Sequence, residues 1–166
     1  LGGNIYFNFG TDAANSPNAH YIDETGIEKT SLSHREFGWT TDMRNRAGLL
    51  SLDPIVTASY IRMDLASQFR VRLYVSVSYD LEITVVGPSV NYLRINNIAV
   101  LENLVLADGE THTFTVRSAT TAFGNLVLRG HPDWSTMTTR LAGVLITKIP
   151  CSCTYFKRFF KCLICY

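Results

Sequence analysis

The sequence predicts an all-β protein, an antiparallel β-sandwich of jelly-roll type, from three observations. Apolar residues alternate with polar ones from Phe69 to Val85, which is the period of a strand with one buried face. Turn residues separate short apolar segments along the rest of the chain, and their spacing of about eight to twelve residues is typical of sandwiches. No segment before Pro150 has a convincing helical pattern.

The alternating segment is longer than one strand, because strands usually contain about 5–6 residues. We place a break at residues 76–80, where the sequence Ser-Val-Ser-Tyr-Asp is polar enough for a turn. The segment is therefore interpreted as a hairpin of two antiparallel strands. Its odd-numbered, apolar positions are expected to face the core, and its even-numbered positions, which include Arg70 and Arg72, to face water.

Short runs of β-branched and aromatic residues predict the remaining strands. On the N-terminal side these are a first strand at Ile5–Phe9, an extended piece at Tyr21–Gly26 and an aromatic segment at Glu36–Trp39. On the C-terminal side they are Tyr92–Ile95, Ile98–Leu106, Thr111–Val116, Asn125–Arg129 and Leu141–Ile149.

Two turns are predicted between these C-terminal strands. Asn96-Asn97 separates the first two, and Ala107-Asp108-Gly109 follows the second. Since Asp-Gly is a strong signal for a tight hairpin turn, we expect the strands on either side of Asp108-Gly109 to pair.

Composition favours one folded domain without a nucleic-acid partner. The chain has 166 residues, of which 46% are apolar and 17% charged, and this balance argues against disorder. The net charge of +1 gives no global attraction to nucleic acid. The sequence contains no run of about 18 apolar residues, so no transmembrane helix is predicted. Because the sequence begins at Leu1 rather than Met, we expect a processed or cut form.

Composition changes at Pro150, which divides the chain into a β-sandwich domain at 1–149 and a hydrophobic, Cys-rich tail at 150–166. Apolar residues of the tail fall on one helical stripe with basic residues mostly beside it, so a short helix is predicted. Disulfides, a zinc site, an acylated membrane-surface helix and packing on the sandwich or a neighbouring subunit all remain open. The cysteines concerned are Cys151, Cys153, Cys162 and Cys165.

The order of several short segments resembles that of malectin-like or galactose-binding-like β-sandwich modules. These segments are Tyr6–Gly10, Tyr21–Gly26, Phe37–Trp39, Tyr79–Val85, Gly124–Leu128 and Gly143–Ile149. The resemblance spans residues 4–149. It implies a carbohydrate-binding module of a larger extracellular or cell-surface protein, with a carbohydrate or glycoprotein as its partner.

In sugar-binding sandwiches, loop aromatics stack on the sugar ring while Asp, Asn and Arg side chains bind its hydroxyl groups. One group of candidates lies near the first loops and a second follows the strand that ends at Arg129. For the two tryptophans the alternative is packing in the core, since Trp is mostly buried on average. The candidate ligand-binding residues are Tyr21, Asp23, Trp39, Arg44, His131 and Trp134.

No catalytic arrangement is predicted. The sequence lacks a Gly-x-Ser-x-Gly elbow, a His-Glu-x-x-His motif and a Gly-rich phosphate loop, and its histidines are scattered. We therefore expect no enzymatic activity. Related sandwiches often carry a structural calcium ion, but no Asp-x-Asp-x-Asp run indicates one here, so no metal site or cofactor is predicted.

A second class of function is a structural subunit that assembles with copies of itself into an extracellular filament or coat. The terminal segments, residues 1–9 and 151–166, would join the copies by adding a strand or helix to a neighbour. The two hypotheses make different demands. Recognition requires Trp39 or Trp134 to be exposed on a concave surface, whereas assembly requires the chain ends to be buried against another chain.

Overall fold

A computed structural model of the chain describes residues 4–9, 21–23, 37–39, 47–49, 59–63, 67–75, 77–131 and 138–149. These residues form β-strands joined by turns and short extended segments. The strands are β1 (Ile5–Asn8), β2 (Tyr21–Asp23), β3 (Phe37–Trp39), β4 (Ala47–Leu49), β5 (Ser59–Met63), β6 (Gln68–Arg72), β7 (Ser78–Val86), β8 (Ser89–Ile95), β9 (Ile98–Leu106), β10 (Thr111–Ala119), β11 (Asn125–Arg129) and β12 (Thr139–Lys148).

The strands form two sheets that enclose one core, so the predicted β-sandwich is confirmed. The first sheet has the order β10-β7-β12-β1-β2, with β5 also paired to β12 and β4 to β5. The second sheet has the order β3-β6-β11-β8-β9. Neighbouring strands are antiparallel except for β1 and β2, which are parallel. Among the described residues there is no helix with the length and hydropathy that crossing a membrane requires.

The alternation from Phe69 to Val85 is confirmed, but the hairpin interpretation of that segment is wrong. Phe69, Val71 and Leu81 are fully buried, as their odd-numbered positions predict. However, β6 pairs with β3 and β11 in the second sheet, whereas β7 pairs with β10 and β12 in the first. The described residues 73–75 and 77 lie between the two sheets. Because both strands face the same core, the alternation keeps its phase across the connection and imitates that of a hairpin.

Two residues of the β10–β11 connection hold this crossing in place. The buried Thr120 donates its hydroxyl to the Tyr74 carbonyl (2.7 Å) and accepts from the Val77 amide (3.3 Å). Gly124 accepts from the Leu73 amide at 2.7 Å. A Cβ at Gly124 would lie 2.5 Å from the Leu73 carbonyl oxygen, and φ there is 76°, so a larger residue fits neither the space nor the backbone.

The two predicted turns behave differently. Asn96 and Asn97 have φ values of 49° and 69°, and they join β8 to β9 as a two-residue hairpin whose strands pair. Asp108-Gly109 is also a turn, but it leads from β9 in the second sheet to β10 in the first. The expected pairing across Asp108-Gly109 is therefore wrong. A turn signal gives a change of direction and does not identify the sheet that receives the next strand.

Asn91 and Thr139 connect the two sheets at one corner. Thr139 Oγ1 accepts from the Tyr92 amide (2.9 Å) and donates to the Tyr92 carbonyl (2.6 Å). Asn91 Oδ1 accepts from the Arg140 amide at 3.2 Å, while its Nδ2 donates to Ser89 and to the Leu104 carbonyl. Both side chains are buried. They satisfy backbone groups where β8 of one sheet meets β12 of the other.

Strand β1 lies inside its own sheet, between β12 and β2. In this structure β1 therefore pairs within its own chain and is not donated to another copy, which was the role that the assembly hypothesis gave to residues 1–9. The tail at 150–166 lies outside the described residues. Its predicted helix and the states of its four cysteines stay predictions, as does the division of the chain at Pro150.

Candidate ligand-binding face

The structure describes four of the six predicted site residues and does not bring these four together. Tyr21 and Asp23 lie in β2 of the first sheet, in register with Tyr6 and Asn8 of β1. His131 follows β11 of the second sheet. Arg44 and Trp134 lie outside the described residues, so their predicted roles stay predictions.

Trp39 is a core residue, which corrects its prediction as a ligand-facing aromatic. Its side chain is 1% exposed. The ring centroid lies 5.5 Å from that of Phe9 and 5.2 Å from that of Phe69. Strand β3 positions it there by pairing with β6, so that Trp39 stands opposite Phe69 on the inner face. A ring enclosed in this way cannot stack on a sugar.

His131 belongs to an aromatic and cationic cluster on the second sheet. Its ring packs edge-on against Tyr92, with centroids 4.5 Å apart and an angle of 82° between the ring planes. Arg94 Nε donates to Tyr92 Oη at 3.0 Å, and the guanidinium carbon lies 5.5 Å from the Tyr92 ring centroid. The cluster therefore combines an aromatic ring, an imidazole and a guanidinium.

The alternation of β6, β8 and β11 places two further arginines beside this cluster. Phe69, Leu93 and Leu128 are fully buried. Arg70, Arg94 and Arg129 occupy the alternate, outward positions of the same three strands. Arg129 is directly opposite Arg94, and Arg70 is opposite Val127, two residues from Arg129. We call this surface the arginine–aromatic face; it consists of Arg70, Tyr92, Arg94, Arg129 and His131.

The arginines of this face have few partners of their own. The Nε atoms of Arg70 and Arg129 are buried and have no hydrogen-bond partner within the described structure. No ion pair to a carboxylate is found for Arg70, Arg94 or Arg129 among the described residues. Like charges placed directly opposite each other destabilise a sheet. The face therefore concentrates positive charge that an anionic ligand would neutralise.

A smaller arrangement of the same kind is found on the first sheet. The guanidinium carbon of Arg140 lies 4.8 Å from the Tyr60 ring centroid, and Arg140 stands opposite Arg62 in the β5–β12 pair. The Nε atom of Arg140 is also buried without a partner among the described residues. Among the described residues this arrangement has neither a histidine nor a third arginine in register, so the arginine–aromatic face is the stronger candidate.

The side chains of this face can bind an anionic group. A guanidinium donates two parallel hydrogen bonds to a carboxylate or sulfate, and an aromatic ring gives a flat apolar contact. The described residues include no cluster of three or more His, Cys, Asp or Glu side chains that could hold a metal ion.

His131 was among the residues predicted from the sequence, whereas Arg70, Tyr92, Arg94 and Arg129 of this candidate face were not. The available signal was an arginine at an outward position in each of three predicted strands. The register that makes these strands neighbours could not be obtained from the sequence, because β6, β8 and β11 are far apart along the chain.

No protein-family model matches this sequence, and a comparison with curated proteins finds no match. Solved structures do match its fold. Protein YXIM of Bacillus subtilis has a TM-score of 0.65 and 20% identity, over 88% of this chain and 40% of that one. A β-glucuronidase of Bacteroides uniformis has a TM-score of 0.63 and 13% identity, over 89% and 18%. The extracellular domain of ANXUR2 from Arabidopsis thaliana has a TM-score of 0.62 and 9% identity, over 89% and 42%.

A further match is a plant complex of FER with the peptide RALF23 and LLG2, at a TM-score of 0.58 and 11% identity, over 95% of this chain and 44% of that one. The chain thus spans less than half the length of each of these solved structures. At these identities the likeness concerns the fold. The predicted resemblance is confirmed: this chain shares its fold with the malectin-like and galactose-binding-like β-sandwiches.

Proposed function

We propose that this protein is a non-catalytic extracellular recognition module, part of a larger protein, that binds a carbohydrate carrying acidic groups on its arginine–aromatic face. One observation carries the proposal. Arg94 and Arg129 stand opposite each other without a carboxylate partner among the described residues, directly beside the Tyr92–His131 pair.

The arrangement suits a sugar acid better than a neutral sugar. The planar guanidinium group matches the two oxygens of a carboxylate, and such charge-assisted pairs are stronger than neutral hydrogen bonds. The partly exposed His131 ring beside the charges can contact the apolar face of a pyranose, and the buried Tyr92 ring packs against it from below. A neutral glycan would leave the repulsion between Arg94 and Arg129 in place, whereas an acidic one removes it.

The fold neighbours support an extracellular location. One is an extracellular domain, and another is seen with a peptide and a second protein. Both match only in fold, so their partners do not transfer to this chain. The isolated oligosaccharide is therefore the simplest probe.

The direct test compares an oligouronate with the same oligosaccharide after its carboxyl groups have been reduced. Titration calorimetry on the full chain is expected to detect the acidic form and a much weaker interaction with the reduced form. Arg129→Met and Arg94→Met keep a long apolar side chain and remove the charge. Each is expected to weaken binding of the oligouronate by about 10- to 100-fold, the effect of losing hydrogen bonds to a charged group.

Arg117→Met is the matched control. Arg117 is an exposed arginine of the first sheet whose guanidinium binds both carboxylate oxygens of Asp80, at 2.9 and 3.1 Å. This variant changes the net charge by the same amount and is expected to bind normally. Equal weakening in all three variants would mean that net charge matters rather than the face. Equal binding of both oligosaccharides would remove the acidic group from the proposal, and binding of neither would contradict carbohydrate recognition.

A further inference from the structure

Strand β10 forms one edge of the first sheet and is unusually regular. Its residues from Thr111 to Ala119 pair with β7 in nine consecutive steps without a register shift. Six of these residues are exposed to solvent, including Thr113, Thr115 and Arg117. A long, regular edge strand presents unpaired backbone groups to other chains.

The hydrogen bonds at both ends of the ladder identify which groups are unpaired. Glu110 accepts from the Gly87 amide (2.8 Å), and the Thr120 amide donates to Val77 (3.0 Å). Because paired residues of an antiparallel ladder alternate between bonded and non-bonded positions, even-numbered residues of β10 bond to β7. The amides and carbonyls of Thr113, Thr115 and Arg117 therefore point away from the sheet. The Ala119 carbonyl agrees, since it accepts from the Asn96 side chain outside the ladder (2.8 Å).

The other described edges are protected in ways that β10 is not. Strand β9 has a charge at Glu102, a left-handed residue at Asn103 (φ 55°) and register shifts in its pairing with β8. Strands β2, β3 and β4 contain three residues each. In β10 the charge of Arg117 is already bound by Asp80. Charges, bulges and short length are the usual protections of an edge. Strand β10 has no register shift, contains nine residues, and its one charged side chain is neutralised within its own sheet.

We propose that β10 pairs antiparallel with β10 of a second copy of this chain, which joins the two first sheets into one continuous sheet. With Thr115 on the two-fold axis, Thr113 stands opposite the partner's Arg117, and Phe114 stands opposite the partner's Val116. Outward amides and carbonyls then meet one another, apolar side chains share one face, and no like charges are opposed. This self-complementarity commits the edge to a second copy rather than to an unrelated peptide.

Sedimentation equilibrium of the full chain over a range of concentrations tests the proposal. The unmodified chain is expected to approach twice the monomer mass, and Thr115→Pro to remain monomeric. Proline at this position removes an outward amide and no bond to β7, which an edge strand tolerates. Thr115→Lys leaves the backbone unchanged, and its side chain is opposite Glu82 within its own sheet. In the dimer, however, the lysines of the two copies would face each other across the axis, so this variant should also remain monomeric. Thr115→Ala is the control and should dimerise.

Hydrogen exchange locates the interface independently. Protection of the Thr113 and Thr115 amides is expected to rise with protein concentration, while the Phe114 amide, which bonds to β7, is protected throughout. A chain that is monomeric at all concentrations would overturn the proposal. So would self-association of Thr115→Pro and Thr115→Lys equal to that of the unmodified chain, because another surface would then be responsible.

Discussion

Tyr6 carries a buried hydroxyl that weakens the fold. Its Oη atom has no hydrogen-bond partner within the described residues. The end of the side chain lies over Gly143, where a Cβ would come within 2.6 Å of the hydroxyl. Burial, and then the negative charge of Glu82, raises the pKa of Tyr6 from 10.0 to about 12. The neutral phenol is therefore strongly favoured in the folded state.

Tyr6→Phe is expected to stabilise the protein by about 1 kcal/mol, because it removes a buried polar group that forms no bond. The melting temperature should rise by about 2–4 °C. Tyr74→Phe is the control, since Tyr74 is 50% exposed, and its effect should stay within about 0.5 kcal/mol. Thermal unfolding followed by circular dichroism measures both. Destabilisation by Tyr6→Phe would mean that the hydroxyl has a partner in solution.

The raised pKa of Tyr6 also predicts a pH dependence. Above pH 10 the unfolded chain releases the phenolic proton while the folded chain retains it to about pH 12, so stability is lost as the pH rises through this window. Burial raises the pKa of Tyr79 as well, so the Tyr6→Phe variant still loses some stability as the pH rises. The difference between the stability curves of the chain and of Tyr6→Phe isolates the contribution of Tyr6. Parallel curves between pH 10 and 12 would contradict the assignment.

At the scale of elements, the corner between β8 and β12 depends on one threonine. Thr139→Val keeps the shape of the side chain but leaves the Tyr92 amide and carbonyl without the partners that Thr139 provides. We expect a loss of about 2–3 kcal/mol in the free energy of unfolding, since two buried backbone groups become unsatisfied. Thr84→Val removes an exposed bond to Thr113 and is the control, with a loss below about 0.5 kcal/mol. Urea unfolding compares the two, and equal losses would contradict a special role for the corner.

Strand existence could be predicted from the sequence, but strand partners could not. Alternation identified the inner faces of β6 and β7 because one core dictates both. The same alternation does not indicate the sheet to which each strand belongs. The prediction of a hairpin between β6 and β7 was wrong for this reason. The prediction that Trp39 faces a ligand was wrong for a related reason. A short aromatic segment between loops fits an exposed site and a core equally well until its pairing with β6 is known.

At the scale of the whole molecule, the sandwich separates its two proposed contacts. The arginine–aromatic face lies on β6, β8 and β11 of the second sheet, whereas β10 is an edge of the first. Pairing through β10 would therefore leave the face on each copy accessible. Two faces on one dimer would raise the apparent affinity for a long acidic polymer, since the second contact becomes intramolecular.

Binding of an acidic carbohydrate to the arginine–aromatic face is tested most directly by the arginine Nε–Hε signals in an NMR titration. On addition of an oligouronate, the signals of Arg94 and Arg129 are expected to shift together and saturate, while that of Arg117, held by Asp80, stays in place. The carboxyl-reduced oligosaccharide should leave all three unchanged. Unchanged Arg94 and Arg129 signals at saturating oligouronate, or equal shifts at Arg117, would contradict the claim.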